Sequence, residues 1–263
     1  MGAKEEVLYS MQDRVAEISI NRPEVHNTLT PSAIARIEEL LAQAERSPDV
    51  GAIILRGAGG KAFCTGADLG SGLEMRDASF LEKHDARASF ARLLLRMQRT
   101  ARPILAMVEG YCMAGGLGLC LACDLAIASE DAQFGLPEVK RGLWPYMVTA
   151  LLMRHVGPKK ALELCMTGER ISAHEAEKLG LVNRCVPKGE LQKEAYEMAR
   201  KIASLSPAVL ALGKRSFYTA WDLPLEKALD YLASQLTHNT QLEDMAEGIS
   251  AFLQKREPVW KGR

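Results

Sequence analysis

Residues 103–124 read PILAMVEGYCMAGGLGLCLACD, and this stretch decides the fold. Pro103 to Val108 is an unbroken apolar run of strand length, the pattern of a strand covered on both faces. Gly110 to Gly118 is rich in glycine and leads into a short apolar helix, expected from about Leu117 to Cys123. Asp124 to Ala128 (DLAIA) then reads as another strand. Strand, glycine turn, helix and strand in succession define an α/β core with crossover connections.

The same grammar extends upstream. Val15 to Ile20 (VAEISI) alternates apolar and polar residues and stops at Asn21-Arg22-Pro23, as an edge or half-buried strand does. Thr30-Pro31 supplies a cap and a proline at the first helical position, and Ile34, Ile37, Leu40 and Leu41 continue one helical stripe. Val50 to Leu55 (VGAIIL) is a second buried strand, ended by the glycine-rich segment 56–60. A helix is expected over 78–101. Downstream of Met147 the strand signals stop, and helices are expected over 147–156, 158–166, 172–179, 189–204, 207–220, 224–237 and 240–254. No Ser/Gly-rich linker separates the halves. The expected organisation is a core over residues 1–200 and a helical region, 201–263, that packs on it and on neighbouring subunits.

Composition narrows the function classes. Of 263 residues, 48% are apolar and 25% charged, which supports a substantial core. Lys+Arg and Asp+Glu are both 33, so no global field favours nucleic acid or an anionic membrane, and neither is expected as a partner. No uncharged apolar run reaches the length of a spanning helix. Cys64, Cys112, Cys120, Cys123, Cys165 and Cys185 sit in apolar stretches and read as buried free thiols. The Cys120–Cys123 spacing lacks a second pair or a His cluster, so no metal is expected. Met1 to Gln12 carries no signal-like apolar core, which places the expected location in the cytoplasm or another reducing compartment.

Two glycine-bearing turns are candidates for chemistry. Lys61-Ala62-Phe63-Cys64-Thr65-Gly66-Ala67-Asp68-Leu69 follows one buried strand, and Gly110 to Leu119 follows another. Glycines let a backbone approach a ligand, and a helix start leaves N–H groups unpaired. Side by side, two such turns aim two donors at one oxygen, as an oxyanion requires. Either turn alone is explained as well by tight packing. In Phe134 to Pro145 (FGLPEVKRGLWP), Glu138 lies among apolar neighbours, where burial would raise its pKa and suit it to proton transfer. The competing reading is a surface glutamate paired with Lys140 or Arg141.

Taken in order, these motifs resemble the enoyl-CoA hydratase/isomerase (crotonase) superfamily. They are Asn21-Arg22-Pro23 with Asn27, FCTGADL at 63–69, GYCMAGGLGLCLACD at 110–124 and AQFGLPEVKRG at 132–142. TGERISAHEAEKLGLVN at 167–183 and AFLQKR at 251–256 match too, so the resemblance covers residues 7–257. It implies a spiral of ββα units with C-terminal helices that form a trimer or a dimer of trimers. It implies an acyl-CoA thioester as substrate, coenzyme A arriving as part of it, and no permanently bound cofactor. Carried over residue by residue, the oxyanion-hole donors fall on the backbone N–H groups of Ala67 and Gly115. The implied binding residues are Val25, His26 and Asn27, then Lys61, Ala62, Phe63, Gly66, Asp68 and Leu69, then Gly116. Phe252 and Lys255 would reach the CoA from a neighbouring subunit. Asp68 and Asp124 are expected to hold turns in place, without an acid/base role.

One departure stands out. The family's hydratases position water with two glutamates; the second falls on Glu138, and the first belongs at 118, where this chain has glycine. A single glutamate resembles the Δ3,Δ2-enoyl-CoA isomerases, in which it moves a proton between C2 and C4. The 4-chlorobenzoyl-CoA dehalogenase branch shares a similar glycine pattern but uses an aspartate where Tyr146 stands here. The tail is most similar to the enoyl-CoA hydratase domain-containing branch, which also lacks the full pair. The expectation is an isomerase-like or atypical hydratase with Glu138 as its one acid/base, aided by Tyr146 as a weak donor. A non-catalytic acyl-CoA-binding or regulatory protein is the alternative. A glutamate restored at 118 is expected to raise hydration where the pocket has room.

Overall fold

The apolar runs become inner strands because helices cover them on both sides. A computed structural model describes residues 5–68, 70 and 77–263. In chain order the strands are β1 (Val7–Gln12), β2 (Val15–Ile20), β3 (Ala52–Gly57), β4 (Ala62–Cys64), β5 (Ile104–Val108), β6 (Tyr111–Met113), β7 (Leu125–Ser129), β8 (Gln133–Gly135), β9 (Arg170–Ser172) and β10 (Arg184–Val186). The helices used below are α1 (Pro31–Arg46), α2 (Phe80–Arg99), α3 (Gly115–Ala122), α4 (Tyr146–His155), α5 (Pro158–Thr167), α6 (Ala173–Lys178), α7 (Leu191–Ala203), α8 (Pro207–Trp221), α9 (Leu225–Asn239) and α10 (Glu243–Gln254).

One sheet has the order β1-β2-β3-β5-β7-β10 and the other β4-β6-β8-β9. The pairs β2/β3, β3/β5, β5/β7 and β7/β10 are parallel, while β1 runs antiparallel to β2. Three times the chain passes from a longer strand of the first sheet to a three-residue strand of the second: β3 to β4, β5 to β6, β7 to β8. After β4 it continues into α2, and after β6 into α3. This is the ββα spiral. Gly110 makes one of these corners at φ 65°, where an added Cβ would lie 2.1 Å from the Lys61 carbonyl oxygen.

The lack of polar alternation in β3 has a direct cause. Ile53 and Leu55 join the main core with α1, α2 and α3, whereas Ala52 and Ile54 face the other way. There they meet Leu191, Ala195, Ala199 and Ala203 of α7. Residue 200, where the sequence suggested a boundary, lies inside α7, a helix that packs on the main sheet.

Two sequence expectations are corrected. β2 is an inner strand, flanked by β3 and by β1; β1 escapes a pattern reading because only Val7 of its residues is buried. Strands also occur beyond Met147, as β9 and β10. Each has three residues, too few to display a period of two.

Asp124 fastens the C-terminal helices to this core. Its carboxylate accepts the Ile104 N–H at 2.6 Å, the Lys214 ammonium at 2.7 Å and the Tyr218 hydroxyl at 3.0 Å. Lys214 also donates to the Met97 and Arg102 carbonyls. Burial raises the Asp124 pKa and lowers that of Lys214, with each partner's charge opposing the shift of the other. All six cysteines are free. Among the described residues no helix is long and apolar enough to cross a membrane. Lys214→Ala leaves a buried carboxylate without its cation and is expected to cost about 3–5 kcal/mol of stability, measured by urea unfolding.

Candidate active site

Gly66 and Gly115 bring the two glycine turns into contact. Gly66 has φ 90°, and a Cβ there would lie 2.8 Å from the Ala114 Cβ and 2.9 Å from the Gly115 nitrogen. Leu29 holds the first turn: its N–H donates to the Gly66 carbonyl at 2.8 Å, and its carbonyl accepts the Asp68 N–H at 2.9 Å. Successive backbone groups of an extended chain point in opposite directions. The Ala67 N–H, between those two bonds, is therefore turned away from Leu29. In the second turn Ala114 takes φ 53° and ψ −128° and donates its own N–H to the Gly135 carbonyl at 2.9 Å. Gly115 is the first residue of α3, where an N–H has no intrahelical acceptor. Among the described residues neither the Ala67 nor the Gly115 N–H has a hydrogen-bond partner. Two unspent donors thus flank one contact.

The helix behind them strengthens the field. Gly116 to Ala122 are all buried, so the positive end of α3 acts with little screening by water. Gly116 is itself a packing glycine, since a Cβ there would lie 2.0 Å from the Cys64 carbonyl oxygen. Cys64 accepts the Gly66 N–H on its sulfur, and burial pushes its thiol pKa up to about 12, which keeps it neutral.

Glu138 lies in a short 3-10 turn, Pro137–Arg141. The bond from Ala114 to Gly135 ties that segment to the donor turn, and three more residues of chain reach at most roughly 10 Å. Its Oε2 is buried with no hydrogen-bond partner among the described residues, and no ion pair joins it to Lys140 or Arg141. Burial raises its pKa, against weaker opposing pulls from its own backbone N–H and the Arg141 charge. The Cys165 thiol feels the carboxylate too: burial raises that pKa, the Thr149 hydroxyl opposes, and the Glu138 charge adds to the rise. Thr149 and Cys165 lie on α4 and α5, with Oγ1 and Sγ 3.7 Å apart.

Position 118 is tight on the side of Val148. Gly118 is buried, and a Cβ there would stand 3.1 Å from Val148 Cγ2 and 3.4 Å from Phe90 Cζ. A side chain at 118 needs Val148 to give by a few tenths of an ångström, while the Phe90 distance is ordinary van der Waals contact. Phe90 and Val148 are the residues that motif reading missed. The signal was the stripe Phe90, Leu93, Leu94 and Met97, the buried face of α2.

The other expected binding residues divide. His26 and Lys61 come together, lining a cavity of about 300 Å³ with Gly60, Gly110, Tyr111 and Lys188. That cavity sits at the starts of β4 and β6, whereas the donors lie beyond their ends. Val25 is exposed. Asn27, Ala62 and Phe63 are buried, so their side chains cannot face a ligand. The Asn27 amide is spent on the Ala58 and Ala62 carbonyls and the Arg22 N–H. Asp68 is held by Arg22 at 2.8 Å and accepts the Gly70 N–H. Phe252 is 82% exposed, and Lys255 is exposed just past the end of α10. Tyr146, at the start of α4, is 77% exposed. Leu69 lies outside the described residues. No group of His, Cys, Asp and Glu that could hold a metal occurs among the described residues.

Known proteins share this fold. Residues 10–263 match the family described as Enoyl-CoA hydratase/isomerase. Enoyl-CoA hydratase domain-containing protein 3, mitochondrial, of Mus musculus is 37% identical over 251 residues, covering 95% of this chain and 82% of that one. The (E)-benzylidenesuccinyl-CoA hydratase of Thauera aromatica is 35% identical over 260 residues, with 97% and 99% covered. The crystal structure of human enoyl Coenzyme A hydratase domain-containing protein 3 has a TM-score of 0.92 at 34% identity, over 97% of this chain and 100% of that chain. The chain belongs to the enoyl-CoA hydratase/isomerase family and is an acyl-CoA enzyme of that family.

Gly66→Ala combines a left-handed backbone with contacts below 3 Å. It is expected to cost about 1–3 kcal/mol in chemical denaturation and to depress turnover of acyl-CoA far more than a distant change of equal stability cost.

Proposed function

We propose that the Ala67 and Gly115 N–H groups polarise the carbonyl of an enoyl-CoA thioester while Glu138 alone moves the proton. The observation that carries this reading is the unpartnered Glu138 Oε2, buried on a segment tied to the donor turn. A thioester oxygen seated between the two N–H groups gains charge as its α carbon is deprotonated. Each such donor contributes roughly 3–4 kcal/mol at the transition state. A carboxylate whose pKa is raised by burial is a stronger base toward that carbon than one in water. One carboxylate suffices to carry a proton between C2 and C4; adding water calls for a second polar group. The reaction is therefore isomerase-like, with hydration impaired. Coenzyme A arrives with the substrate, near His26 and Lys61.

The assembly is a trimer or a dimer of trimers. Leu225, Leu229 and Leu236 on α9 and Phe252 on α10 are 59–82% exposed, more apolar surface than a peripheral helix pair leaves to water. In the assembly Phe252 and Lys255 contact CoA bound to a neighbour. Light scattering at micromolar concentration should give three or six chain masses; a monomer would overturn this.

Panels of 2-enoyl- and 3-enoyl-CoA, followed by mass and chromatography, test the reaction. The expected product is the shifted isomer. Glu138→Gln should lower isomerisation by about 10²–10⁴-fold with CoA affinity nearly unchanged in calorimetry. Since only the ionised carboxylate removes a proton, kcat/KM should rise with pH through an apparent pKa above the ordinary carboxylate value. Hydration of crotonyl-CoA at the rate of two-glutamate relatives, or full activity in Glu138→Gln, would sink the proposal.

A further inference from the structure

We infer that Arg22 is a positioning residue for the reaction: its guanidinium sets the direction of the Ala67 N–H without touching substrate. The inference rests on the reading of Ala67 and Gly115 as donors to a thioester carbonyl. Leu29 and Ala67 form an isolated parallel bridge. The Leu29 N–H donates to the Gly66 carbonyl and the Asp68 N–H to the Leu29 carbonyl, so both bonds of the bridge run to one residue. Two points fix a line and leave rotation about it. Gly66, at φ 90°, brings no Cβ to resist that rotation. A third point of attachment comes from the Asn21-Arg22-Pro23 motif.

Arg22 uses all three guanidinium nitrogens, in three directions. Nε meets Glu6 at 3.1 Å. Nη1 donates to the Thr28 carbonyl at 2.8 Å and to the Thr28 hydroxyl oxygen at 3.0 Å, and Nη2 donates to Asp68 Oδ2 at 2.8 Å. Thr28 precedes Leu29 and Asp68 follows Ala67, so one planar group braces both sides of the bridge. Asp68 Oδ1 accepts the Gly70 N–H at 2.9 Å and continues the turn. Glu6 ties the far side, its Oε2 accepting the hydroxyls of Thr30 and Ser32 at the start of α1. The donor turn is thereby aligned to a helix of the core. The Arg22 and Asp68 side chains are 17% and 22% exposed, and ion pairs open to water add little to stability. The worth of this one is directional. An oxyanion donor acts within about 2.7–3.1 Å of the charge it meets, and an error of about 1 Å costs about 10²-fold in rate. A lysine carries the same charge on one nitrogen and cannot serve three partners at once.

The test reads the donors directly. Butyryl-CoA labelled with 13C at its thioester carbonyl has no double bond to move, and its carbonyl stretch is followed by isotope-edited infrared spectroscopy. Bound to wild type, the stretch should fall below its frequency in water. Arg22→Lys should lose most of that shift, with kcat on enoyl-CoA down by about 10²-fold and KM nearly unchanged. Asp68→Asn keeps the size of the side chain, breaks the same link from its other end and should do the same. The two changes together should be no worse than either alone, because they share one link. Circular dichroism checks folding, and Asp68→Asn carries the test should Arg22→Lys not fold. An undiminished carbonyl shift in either folded variant would overturn the role of Arg22, whatever happens to kcat. So would losses that multiply in the double variant. Wild-type protein that binds the thioester without any carbonyl shift would instead overturn the donor reading, and this inference with it, so the two failures are distinguishable.

Discussion

Between Gly66 and the start of α3 there is no space for a side chain. The loop after β4 and the first turn of α3 meet backbone to backbone, and that contact sets the rest of the site. It requires glycine at 66 in a left-handed conformation and an alanine at 114 forced to positive φ. Leu29 on one side and the Gly135 carbonyl on the other hold the two turns from behind. Their donors are left facing outward with nothing to bond. The two glycine motifs lie far apart in the chain and act as one object only because β4 and β6 are neighbours in a parallel pair.

Much of this was legible in the sequence, and the reasons are physical. Strands buried on both faces announce themselves as apolar runs, and the glycine clusters mark corners that admit no Cβ. Three-residue strands announce nothing, which is why the second sheet was invisible until β4, β6 and β8 were seen side by side. Residue identity was also a poor guide to direction. Asn27 and Phe63 belong to motifs in which binding residues were expected, yet one ties up backbone carbonyls and the other fills the core. Phe90 was hidden for the opposite reason. It sits in an ordinary helical stripe, and only its contact with Gly115 and Gly118 gives it meaning.

The charge balance is instructive in the same way. A chain with no net charge offers no global field to an anionic substrate, so the proposed function relies on partial charges concentrated where water is scarce. The helix α3 is short and wholly apolar, so its amide dipoles act in a medium that screens them weakly. The same dryness lifts the Glu138 pKa. One feature of the packing therefore acts on both groups that the proposed proton transfer would use.

Ala114 carries a consequence for how this protein can change. An L-residue at φ 53° and ψ −128° sits in a region that glycine occupies without strain, so the wild-type backbone stores conformational energy at the rim of its own site. Glycine at 114 would release that strain and make the folded chain more robust. It would also remove the methyl group that faces Gly66 and give the donor turn more conformational freedom. The position is thus a trade between durability and rigidity, and selection for heat resistance alone would be drawn toward a sturdier enzyme with a looser grip on its substrate.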